Sequence, residues 1–189
     1  MKLIRWITVI LYFFPIFVFG ESREQFYEEY YSKNMSGWKG IVFVCSFDSN
    51  DKVLEKICER ATSDIKLLAA GNKIDLKIVE SNNFFEAALI ASLNKFVTLE
   101  YSLTATENSG QFSVKAIQAR LAFKVFYSNA VEKDAKPNTI DSIPRSGDLD
   151  LWSDTVIGFG SPSEIVHPFG NAAETHIKKA LTLFIEYSG

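Results

Sequence analysis

Histidine, cysteine and methionine each occur only twice in 189 residues, and that scarcity removes most of the chemistry a sequence can advertise. The two imidazoles, His167 and His176, stand nine residues apart. Ligands sharing a helix face recur at three, four or seven, so they do not form a local metal pair. A phosphate-cradling G-x-x-x-x-G-K-[ST] loop is missing, which strips meaning from Asn72-Lys73-Ile74-Asp75, a stretch that otherwise spells a guanine-reading signature. Gly158-Phe159-Gly160 starts a dinucleotide fingerprint but lacks its third glycine and runs into Pro162, so it reads as a turn. No catalytic residue, metal or cofactor is therefore assigned.

Long apolar runs are also scarce, with a single exception at the start. Lys2 and Arg5 precede Trp6 to Phe19, which is apolar apart from Thr8 and shorter than the roughly 20 residues of a membrane span. Val18 and Gly20 fall where a signal peptidase needs small residues. The expectation is a cleaved secretory leader over residues 1–20, a mature chain starting at Glu21, and a periplasmic or secreted location; a retained N-terminal anchor is the alternative. No later stretch is long and apolar enough to span a bilayer.

Basic residues are outnumbered, 20 to 23, and losing Lys2 and Arg5 with the leader gives 18 − 23 = −5. Nucleic acid is not an expected partner for such a surface. The two cysteines, Cys45 and Cys58, are expected to pair in an oxidising compartment. Their bridge closes a short loop, for which chain entropy predicts about 3 kcal/mol of stabilisation.

What is abundant is apolar residues, at 47% of the chain, and aromatics, at 14%. Residues 21–39 form a lead-in segment, in which Phe26, Tyr27, Tyr30 and Tyr31 make two i,i+4 pairs that share a side if the segment is helical. An unstructured lead-in is the other reading. Residues 40–189 read as one α+β domain. Its first strand is Gly40 to Phe47. A helix follows, capped from Ser49, Asn50 or Asp51, with Leu54, Ile57, Cys58, Ala61, Ile65 and Leu68 on one face and a stop at Gly71-Asn72. Ile74, Leu76 and Ile78 alternate as a second strand, and Phe84 to Leu93 reads as a short helix behind Asn82-Asn83.

Val97, Leu99, Tyr101, Leu103 and Ala105 alternate with polar residues up to a turn at Glu107 to Gly110. The return strand buries Phe112, Val114 and Ala116, then slips by one to Ile117, Ala119, Leu121, Phe123 and Val125. The slip predicts a β-bulge at Ala116-Ile117, with 105 opposite 112 and 99 opposite 119. Thr98, Glu100, Gln118 and Arg120 would then line a solvated polar face. The fold expected is a two-layer α+β plan, with a mainly antiparallel, bulged sheet and helices on one face. Ser128 to Asp150 is a long polar connection with Ile140 and Ile143 as its apolar exceptions, expected to be mobile and open to a partner. A last strand spans Leu151 to Phe159, and a closing helix starts at Asn171, with Glu174 three residues on, and ends near Tyr187.

The function expected by elimination is an exported, non-catalytic module that binds another envelope or extracellular protein. Phe26, Tyr27, Tyr30, Tyr31, Ile140 and Ile143 are its candidate contact residues. Two alternatives stand beside it: a carrier of a small apolar ligand under a curved sheet, and a small hydrolase. The hydrolase would use Ser161 or Cys45 as nucleophile, His167 as base and Asp154 or Glu164 to orient it. Asn34-Met35-Ser36 fits the N-glycosylation pattern.

Overall fold

A computed structural model describes residues 23–106, 114–127 and 147–188. The chain runs α1 (Arg23–Met35), β1 (Gly40–Ser46), α2 (Lys52–Gly71), β2 (Asp75–Ile78), α3 (Phe84–Asn94), β3 (Phe96–Ala105), β4 (Lys115–Tyr127), β5 (Gly147–Gly160) and α4 (Pro162–Tyr187). The five strands form one sheet in the order β2-β1-β3-β4-β5.

That sheet is mixed, which corrects the mainly antiparallel expectation. β1 pairs in parallel with β2 and β3, while β3, β4 and β5 are antiparallel. The cause is the connection type: helices separate β1, β2 and β3, and a helical crossover returns the chain in the same direction. Handedness then places the helices. The step from β1 to β2 and the step from β2 back across to β3 go opposite ways, so right-handed crossovers put α2 and α3 on opposite faces. Helices on one face only is the second point corrected.

The larger core lies on the inner face. Ile41, Phe43 and Cys45 of β1, Val97, Leu99, Tyr101 and Leu103 of β3, and Ile117, Ala119, Leu121 and Phe123 of β4 meet the apolar stripes of α2 and α4 there. Alternation predicted these residues on β3 and β4. On the outer face Val42, Val44 and Phe96 meet Ala87 and Ala91 of α3 in a smaller core. α3 therefore buries Thr98 (0% exposed) and Glu100 (7%), which the sequence placed in water.

The register between β3 and β4 differs too. Ala105 faces Ile117, Leu99 faces Phe123, and no slip interrupts the ladder, so there is no bulge at Ala116-Ile117. The real irregularity is between β4 and β5. Phe123 faces Trp152 while Lys124 faces Asp150, which leaves Leu151 as the extra residue, turned into the core. The expected turn at Glu107 to Gly110, with Phe112, lies outside the described residues.

Local signals explain most helix ends. Asp51 caps α2 by accepting from the Val53 and Leu54 amides, and Asn83 caps α3 by accepting from Glu86. α4 begins at Pro162 rather than near Asn171, because Pro162 suits a first helical turn and the chain continues helically through Pro168. β5 begins at Gly147, so the last residues of the expected loop are strand; Ile140 and Ile143 lie outside the described residues.

Candidate protein-docking surfaces

α1 is a helix with two stacked aromatic pairs, Phe26 on Tyr30 at 6.4 Å and Tyr27 on Tyr31 at 6.0 Å between ring centroids. The i,i+4 spacing puts both pairs along the helix, and Lys33 bonds Glu29 at 2.5 Å one turn away. Its C-terminal end is fixed. Met35 is fully buried, Trp38 Nε1 donates to the Asn34 carbonyl at 2.9 Å, and the Tyr31 ring packs at a tilt against Tyr187 of α4, 5.8 Å between centroids. Burial and the neighbouring phenols push the Tyr31 hydroxyl pKa up. The N-terminal half projects outward, with Phe26 55% and Tyr27 40% exposed. Phe26, Glu29, Tyr30, Lys33 and Asn34 line a shallow recess of about 240 Å³. The glycosylation pattern sits at this end, where Asn34 Nδ2 donates to the Tyr30 carbonyl at 2.7 Å.

Two apolar exposures elsewhere escaped the sequence reading. Phe85, Leu89 and Leu93 form an outward stripe on α3, and Ile157 and Phe159 stand 71% and 83% exposed on β5.

A polar network crosses the outer face. Ser46 Oγ donates to Glu100 Oε1 at 2.9 Å, Lys124 Nζ reaches Glu100 Oε2 at 2.7 Å and Asp148 at 2.9 Å, and Arg120 pairs with Asp150. Burial works against the Lys124 charge, yet Glu100 and Asp148 outweigh it and raise its pKa. Lys124 lowers the Asp148 pKa in turn. The signal in the sequence was Lys124 itself, a charge inside the apolar run from Leu121 to Tyr127.

The hydrolase parts are not brought together. Cys45 is joined to Cys58, with Cα atoms 6.0 Å apart. Ser161 Oγ donates to Glu164 Oε2 at 2.6 Å, and His167 Nδ1 lies 3.2 Å from Asn171 Nδ2. Asp154 serves the other histidine: it bonds Lys179 at 2.9 Å and lies 3.7 Å from His176 Nε2. Lys179 holds the Asp154 pKa down, and burial holds the His176 pKa down against the pull of Asp154.

Two clefts of mixed polar and apolar lining are open to solvent. One, of about 570 Å³, joins the start of α2 to the end of β3 and contains the Asp51–Lys115 ion pair. There burial pushes the Asp51 carboxyl up, but Lys115 and the capped amides prevail and lower its pKa. The other, of about 690 Å³, lies beside Cys58 and is lined by Glu55, Glu59, Lys66 and Ser81. Neither is an enclosed cavity. Among the described residues no helix is long and apolar enough to cross a membrane, and no cluster of three His, Cys, Asp or Glu is placed to hold a metal.

Residues 21–98 match a family described as "Protein of unknown function (DUF3164)". That match covers less than half of the chain. No curated protein matches it. Among solved structures the chain is similar to the PelC dodecamer from Paraburkholderia phytofirmans, at 13% identity over 82% of this chain and 91% of that one, TM-score 0.41. A single-substitution variant of the same PelC gives 12% identity, 82% and 92% coverage, and TM-score 0.41. At that level of likeness nothing said of PelC transfers to this chain.

Proposed function

We propose that this chain is an exported, non-catalytic module that docks another envelope or extracellular protein through the projecting half of α1. The observation that carries the reading is the mounting of that helix. Tyr31, Met35 and Trp38 fasten one end and side to the body, and Phe26 is left exposed beside the recess it shares with Tyr30. Aromatics are enriched at protein interfaces because they supply large contact area at low entropy cost, and a rigid mount lowers that cost further. Export is supported by the charged start and apolar run of residues 1–20 and by the Cys45–Cys58 bridge. The leader, residues 1–20, lies outside the described residues.

Replacing Phe26 and Tyr30 together with alanine tests the docking. Because Phe26 is exposed and Tyr30 half-buried at the surface, thermal unfolding should shift little while co-purification of the partner from the native envelope or medium is lost. Retained co-purification would refute the α1 site. Intact-mass measurement of the native protein tests export separately: an N-terminus at Glu21 or within a few residues of it is expected, and intact Met1 would contradict cleavage.

A further inference from the structure

We propose that two copies of this chain pair through the free edge of β5, antiparallel about a two-fold axis at Ile157, to make one continuous ten-stranded sheet. Among the described residues the sheet has two edges, β2 and β5, and they differ sharply. β2 is four residues long with Asp75 and Lys77 exposed on it, which is how proteins usually blunt an edge. β5 is fourteen residues long and bonded on one side by β4. From Thr155 to Gly160 it carries no charge and no proline. An edge of that composition is a template for another strand.

The length of the edge and its exposed Ile157 and Phe159 make it complementary to a second copy of itself, and charge selects the register. In a symmetric antiparallel pair the same strand faces itself, so each residue meets one equally far on the other side of the axis. Axes at residues 148 to 152, or at 154, set aspartate against aspartate, from Asp148, Asp150 and Asp154, and like charges directly opposite are destabilising. Leu151 also interrupts regular pairing with its bulge, which favours the segment beyond it. An axis at Ile157 avoids both problems. It sets Thr155 opposite Phe159 and Ile157 opposite its own copy, so the four most exposed apolar side chains of the two strands, Ile157 and Phe159 from each, join in one patch on the outer face. Head-to-tail pairing of β5 onto β2 would match fourteen residues to four and face the charges of Asp75 and Lys77.

The test is sedimentation of the full chain as its cells produce it, with substitutions at one exposed position. The expected result is a concentration-dependent dimer that Ile157→Lys converts to monomer, since the two lysines would face each other at the axis. Ile157→Cys should form a covalent dimer under mild oxidation, because directly opposed residues have Cα atoms about 5 Å apart, within the span of a disulfide. Thr155→Cys alone should not crosslink, but mixed with Phe159→Cys it should. Circular dichroism of each variant checks that the fold is kept. A monomer at every concentration, a dimer unaffected by Ile157→Lys, or absence of crosslinking at position 157 would each overturn the pairing and leave the α1 docking proposal standing.

Discussion

Gly40 of β1 is paired with Phe96 of β3 across the parallel ladder, and the Phe96 ring occupies the space beside Gly40 where any other residue would carry its side chain. A Cβ there would sit 2.8 Å from Phe96 Cζ and closer still to the Asp75 carbonyl oxygen on the other flank. The junction of the three parallel strands is thus built on one missing atom. Gly40→Ala should cost about 1–3 kcal/mol, the usual range for overpacking a tight interior. Urea denaturation checks it, and unchanged stability would mean that β2 is free to move away.

The disulfide ties the end of β1 to the second turn of α2. Replacing both Cys45 and Cys58 with serine should lower stability by about 3 kcal/mol through the freed loop, and reductant should do the same to the native chain but not to the variant. Equal stability with and without reductant would contradict a structural role.

His176 makes stability depend on pH. Its folded pKa is lowered by burial, so in mild acid the unfolded chain takes up a proton that the folded one resists. Stability should therefore be complete above the ordinary histidine value of about 6.5 and fall as pH drops below it. His176→Leu should flatten the stability profile between about pH 7 and pH 5. A second loss belongs to Asp51, Asp148 and Asp154. Their lowered pKa values contribute stability that is present above about pH 4 and disappears in stronger acid, so it should survive in the His176→Leu variant.

Much of this fold was legible residue by residue and little of it neighbour by neighbour. Alternation placed Val97, Leu99, Tyr101 and Leu103 on the core face, and the helical stripe of α2 and the cysteine pair were readable in the same way. A period of two reports which face a residue takes, not which strand lies beside it. The shift of Ala105 from residue 112 to Ile117 was therefore invisible. The strand–helix–strand–helix–strand order from β1 to β3 did contain the parallel pairing and, through handedness, the position of α3. Missing that made Thr98 and Glu100 look solvated. At the candidate site, the spacing of Phe26, Tyr27, Tyr30 and Tyr31 showed the stacking. Which ring is anchored depended on Tyr187, at the far end of the chain. The exposure of Ile157 and Phe159 follows from β5 being an edge, a property of the assembled sheet.

The most direct test of the docking account places a photo-crosslinking amino acid at Phe26 in the native organism, with a second probe at exposed Lys66 on α2 as control. The account predicts one discrete adduct with a second polypeptide from position 26, absent from position 66 and lost when Tyr30 is also changed to alanine. No adduct at position 26, or the same adduct from both positions, would contradict it.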